Sequence, residues 1–106
     1  MSDDYIVMIV TCGSRREAGS IADSLLEKRL VACANVIGKV ESKFRWNGRV
    51  EKARETMVIL KTVGKKFKAV EKEVKRLHDY EVPEIVAIPI VALSKDYGRW
   101  IRESVK

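Results

Sequence analysis

The sequence contains no glutamine, only two asparagines, two prolines and a single histidine, and it has no apolar run long enough to span a bilayer. Nothing at its start resembles a secretory signal, because the apolar run Ile6 to Val10 is short, follows Asp3 and Asp4 and has no basic flank. Two cysteines, Cys12 and Cys33, are too few for a disulfide framework, and without export features they are expected to be reduced thiols in a cytoplasmic protein. The missing Gln and scarce Asn stand beside 34% charged residues, a balance met in proteins from hot environments. Also absent are a phosphate-cradling Gly-rich loop, an HExxH helix and a Ser/His/Asp set in sensible context, so the chain reads as a binding protein rather than an enzyme.

At 106 residues the chain is expected to form one domain, residues 1–106, around one core. Lys and Arg number 21 against 15 acidic residues, a net charge of +6 that brings anionic partners into consideration. Most of these charges alternate in sign, which favours a solvated surface over a nucleic-acid patch.

Tyr5 to Thr11 is a continuous apolar strand ending at Cys12-Gly13. Ser14 opens Ser-Arg-Arg-Glu, a capping box in which Glu17 can reach back to the amide of Ser14. Ala18, Ile21, Ala22, Leu25, Leu26 and Leu30 then repeat at helical spacing, predicting a helix from Arg15 to Leu30. Cys33 to Trp46 is a long strand in which Val36, Val40, Phe44 and Trp46 share one parity and Lys39, Glu41, Lys43 and Arg45 the other. Asn47-Gly48 is a type I′ hairpin signal returning the chain into a third strand, Arg49 to Thr62. Phe67, Val70, Val74 and Leu77 mark a helix over Lys65 to Leu77, Ile85 to Val91 is a fourth strand, and Ser94 caps a short amphipathic helix carrying Tyr97, Trp100, Ile101 and Val105.

Strand, helix, strand, strand, helix, strand and a terminal helix is the α+β, ferredoxin-like split βαβ order. Right-handed crossovers then give an antiparallel sheet of order 4-1-3-2, with strand 4 at an edge that tolerates Pro89. The topology brings Cys12 to the same end of the sheet as the segment His78 to Glu84 and sends Cys33 to the other end. Both main helices cover one sheet face, yet strands 1 and 4 and the end of strand 3 are apolar on both, so another subunit is expected on the second face. The same element order occurs in RNA-recognition modules. Those stack bases on aromatics of the central strands, where this chain has Val7-Met8-Ile9 and Met57-Val58-Ile59-Leu60, and its one basic face is the second helix.

Several segments, in order and spanning nearly the whole chain, resemble the CutA divalent-cation tolerance family. They are Glu27-Lys28-Arg29-Leu30-Val31-Ala32-Cys33-Ala34-Asn35, Phe44-Arg45-Trp46-Asn47-Gly48, Lys61-Thr62, His78-Asp79-Tyr80-Glu81-Val82-Pro83-Glu84, and Tyr97 with Trp100-Ile101. The resemblance implies a ferredoxin-like homotrimer that binds copper and other divalent cations. It implies metal ligands at Cys12 and His78. The chain departs from the family pattern with Asp79 in place of the usual proline and Leu77 where some relatives carry a second histidine. A thiolate and an imidazole suit copper or zinc, and Cys12, beside a helix N-terminus, is expected to favour its thiolate form. Two ligands do not make a site, so a third is expected from Asp79, Tyr80, Glu81, Glu84 or a neighbouring subunit. Cys33 reads as structural, and His78 has a second reading as a partner of the helix dipole.

Overall fold

A computed structural model describes residues 5–106. The elements are β1 (Tyr5–Cys12), α1 (Arg15–Glu27), β2 (Cys33–Trp46), β3 (Arg49–Val63), a 3-10 turn (Gly64–Lys66), α2 (Phe67–Leu77), β4 (Ile85–Pro89) and α3 (Lys95–Ser104). They build one four-stranded sheet of order β2-β3-β1-β4, antiparallel throughout, which is the expected ferredoxin-like α+β topology. β4 pairs only with β1, and Pro89 closes it opposite Ile6 on that edge.

Pairing fixes which side chains share a face. Ile6, Met8, Val10 and Cys12 lie opposite Thr62, Leu60, Val58 and Thr56. The apolar members of this set join Ala18, Ile21 and Leu25 of α1 and Val70 and Val74 of α2 in the buried core. The two helices are joined at their edge by Glu73, a buried carboxylate held by Arg76, Lys28 and the Ser24 hydroxyl. The other face presents Val7 and Ile9 of β1 opposite Lys61 and Ile59 of β3, flanked by Ile37, Val86 and Ile88. α3 covers one end of it, where Ile101 packs with Val63, Ala32 and Tyr5.

Three departures from the sequence expectation have local causes. α1 stops at Glu27 rather than Leu30 because Arg29 takes a left-handed conformation (φ 58°), with its N–H on Leu26 O and the Leu30 N–H on Leu25 O. Arg29 is held there by its own guanidinium, which donates to the carbonyls of Ser104 and Glu103 at 3.0 Å each. β4 ends at Pro89, two residues early, and beyond it the edge keeps only the bond from the Ile90 N–H to Tyr5 O at 3.0 Å.

The third departure lies in β2. Ile37 pairs with Met57 and Val40 with Glu55, so Gly38 and Lys39 together oppose only Thr56, and Lys39 sits at φ 62°. This bulge reverses the parity of the strand. Val36 faces the helices opposite Val58, whereas Val40, Phe44 and Trp46 face the other side. The expectation that Val36 and Val40 share a face is therefore wrong. A Cβ at Gly38 would stand 2.9 Å from Nη2 of Arg15, the far end of a flexible side chain that would have to move aside. Beyond it β2 and β3 form a long arm closed by Asn47 (φ 52°) and Gly48 (φ 78°), the expected type I′ pair. The arm stretches the molecule to 44 × 26 × 23 Å.

Candidate metal centre

Cys12, the last residue of β1, is fully buried against the helices. Two residues on, the Ser14 hydroxyl accepts the N–H of Glu17 at 3.1 Å and caps α1. The carboxylate of Glu17 reaches one residue further back than a capping box requires. Its Oε1 accepts the N–H of Gly13 at 3.2 Å, not that of Ser14, and its Oε2 accepts the N–H of Asp79 at 2.6 Å.

His78 caps the other helix. Its N–H closes α2 on Val74 O at 2.9 Å, and its backbone then turns extended, so the imidazole folds beneath the end of β1 with no exposed side-chain surface. Nε2 lies 2.7 Å from the carbonyl of Thr11, and Nδ1 lies 3.0 Å from the N–H of Tyr80 and 3.5 Å from Oε2 of Glu17. A carbonyl only accepts and an amide only donates, so these partners put the proton on Nε2 and leave the Nδ1 lone pair facing Tyr80 and Glu17. The ring is turned to β1 rather than to the last carbonyls of α2, which removes the helix-dipole reading as its main role.

Among the described residues, Cys12, Glu17 and His78 form one group of potential ligands, their donor atoms all within 4.8 Å of one another. The topology thus joins the sulfur and imidazole singled out from sequence, and the third donor is Glu17. The alternatives are engaged elsewhere. Tyr80 donates its hydroxyl to Oε2 of Glu55 at 2.7 Å, Glu84 accepts from Thr11 Oγ1 at 3.3 Å, and Asp79 and Glu81 stand outside the group. Glu17 carried a signal in the sequence: a carboxylate in the first turn of a helix that begins just after a strand-end cysteine is within reach of that sulfur.

A sulfur, a ring nitrogen and a carboxylate oxygen are a donor set for copper or zinc rather than magnesium or calcium. The state of the thiol corrects the sequence expectation. Burial, followed by the negative charges of Glu17, Glu55 and Asp79, pushes Cys12 up to about 12. The helix terminus does not offset these effects. Burial, with the Glu55 carboxylate next, also raises Tyr80. Cys33 lies at the opposite end of the sheet as expected, paired with Lys61 and with its Sγ 3.5 Å from Oδ1 of Asn35.

Residues 6–104 match the sequence profile of the CutA1 divalent ion tolerance protein. The chain is 40% identical over 98 residues to the divalent-cation tolerance protein CutA of Thermus thermophilus, covering 92% of this chain and 95% of that one. It is 44% identical over 97 residues to the Archaeoglobus fulgidus protein of the same description, covering 92% and 94%. The solved Thermus thermophilus structure superposes with a TM-score of 0.94 over 96% of this chain and 99% of that one, at 38% identity. The Archaeoglobus fulgidus structure, described as that of a periplasmic protein, gives 0.93 over 96% and 99% at 42% identity. Against the longer chloroplastic CutA of Arabidopsis thaliana, 33% identical over 101 residues, the match covers 95% of this chain and 56% of the relative. The chain belongs to the CutA family of divalent-cation tolerance proteins.

Proposed function

We propose that this chain is a homotrimeric binding protein for divalent cations of the copper type, with Cys12, His78 and Glu17 as ligands, and that it is not an enzyme. The observation that carries the reading is the convergence of three donors from three elements, the end of β1, the first turn of α1 and the end of α2, within 4.8 Å. To ligate, His78 turns its Nδ1 lone pair from the Tyr80 amide to the ion, and Cys12 gives up its proton. Binding is therefore tighter at higher pH and releases protons. Calorimetric titration of the wild type with Cu(II) is compared with Cys12→Ala, His78→Ala and Glu17→Gln. Each variant loses about tenfold or more in affinity if the groups ligate, and superimposable isotherms reject the site.

The need for a partner copy rests on the second sheet face, where Ile37, Val86 and Ile88 are 44%, 40% and 48% exposed in the single chain. The number three rests on the family resemblance. Sedimentation equilibrium finding a folded monomer removes the trimer, as does a dimer. We place the protein in the cytoplasm because its two cysteines are free and lie at opposite ends of the sheet. Recovery in an extracytoplasmic fraction, the location described for the Archaeoglobus fulgidus relative, refutes that placement.

A further inference from the structure

A cleft of about 720 Å3 opens beside the Cys12 pocket, between the hairpin arm and the segment that follows α2. Phe44, Trp46 and Tyr80 line it, and so do three carboxylates, those of Glu55, Glu81 and Glu84, against one cation, Lys43. In a protein of net charge +6 this is a local reversal of sign. Glu55 is only 7% exposed. Its Oε2 accepts the Tyr80 hydroxyl, while its Oε1 takes no hydrogen bond from the protein among the described residues and stays open to solvent on the cleft side. A cation entering the cleft therefore meets a carboxylate oxygen that is free to accept from it. Phe44 and Trp46 remain 42% and 43% exposed, although the bulge at Gly38 and Lys39 turns both toward the cleft side of the sheet.

Each class of ligand meets these walls differently. An anion faces three carboxylates, and a purely apolar molecule leaves Oε1 of Glu55 uncompensated. A bare metal ion makes no use of the rings. An alkylammonium satisfies both, giving its N–H donors to carboxylate oxygens and its charge and carbon chain to aromatic faces. We propose that this cleft binds a small organic ammonium ion, with Glu55 and Glu84 receiving the charged head and Trp46, Phe44 and Tyr80 enclosing its stem. The site is distinct from the metal pocket and does not depend on it. Tyr80 forms the partition, its N–H on Nδ1 of His78 and its hydroxyl on Glu55.

The test follows the two indole N–H resonances of the intact, metal-free oligomer at pH 7 while n-butylammonium chloride is added, with magnesium chloride at equal ionic strength and 1-butanol as controls. Butylammonium should shift the Trp46 signal in a saturable manner and leave Trp100 in place. Glu55→Gln and Glu84→Gln should each weaken the binding about tenfold or more. Three results overturn the proposal. Equal binding of 1-butanol makes the cleft a greasy groove, and a magnesium response without a butylammonium response makes it an acidic cluster. A Trp46 signal that ignores every addition, in a protein whose Trp46 is also shielded from acrylamide, means that a second copy of the chain already fills the space.

Discussion

Oε2 of Glu17 accepts the backbone N–H of Asp79 at 2.6 Å across 62 positions of sequence, tying the first turn of α1 to the segment that leaves α2. The same carboxylate stands 3.5 Å from Nδ1 of His78 and caps Gly13 through its other oxygen. One side chain thus caps a helix, orders the loop after α2 and stands in the Cys12, Glu17 and His78 group. Its structural duty can be measured apart from the proposed ligation. In metal-free protein, Glu17→Ala should lower unfolding stability by about 1 to 2 kcal/mol through loss of the two amide partners, read from chemical denaturation. An unchanged midpoint shows that water replaces the carboxylate at no cost.

Glu73 makes the protein sensitive to acid. Hydrogen bonds from Arg76 and Ser24 hold its carboxyl well below the ordinary 4.5. A group whose folded-state value is depressed adds stability above its unfolded value and loses it as pH falls toward the folded one. Stability should therefore decline on acidification below about 4.5, and Glu73→Gln should be less stable than wild type at pH 7 with a flatter acid limb. Thermal unfolding between pH 7 and 3 checks this, and parallel profiles refute it.

Cys12 should be chemically silent in the folded protein. A fully buried thiol pushed up to about 12 presents almost no thiolate at neutral pH. Its alkylation by iodoacetamide should run more than ~100-fold slower than that of a free thiol and recover in denaturant. Peptide mapping by mass spectrometry distinguishes it from Cys33. Fast labelling of Cys12 under native conditions contradicts the burial described for it.

Lys39 occupies a left-handed conformation at φ 62°, which costs a residue with a Cβ about 1 to 2 kcal/mol relative to glycine. Lys39→Gly should raise stability by roughly 1 kcal/mol, and Lys39→Val should lower it by more than that. Denaturation midpoints of the two variants moving in the same direction show that the bulge is not strained.

The apolar blocks, the Ser14 and Ser94 caps and Asn47-Gly48 were legible because each is a local rule obeyed locally. With the handedness of the crossovers they gave the strand order and the meeting of Cys12 with His78. The bulge in β2 was not read, although an isolated glycine within a strand pattern is its usual mark. The cost was the side on which Val40, Phe44 and Trp46 stand. Arg29 ended α1 early because its left-handed turn is held by carbonyls near the far end of the chain, which no helical periodicity records. Glu17, the third member of the group, lay within reach of the sulfur in sequence but was assigned to the cap alone, and its bond to the Asp79 amide spans 62 positions that no local pattern records. The thiol of Cys12 was misjudged because distance to a helix end is visible in sequence and depth below the surface is not.

Arg29 grips the carbonyls of Glu103 and Ser104, and its own carbonyl accepts the N–H of Lys106. The last residues are thereby latched beside the exit of α1, at the pole where β1 begins, whereas Cys12 marks the pole where it finishes. A fusion or affinity handle appended after Lys106 leaves the molecule on the side remote from the sulfur and imidazole. Trimming residues 103–106 instead releases the latch and strands Arg29 in a backbone shape that it no longer has reason to keep.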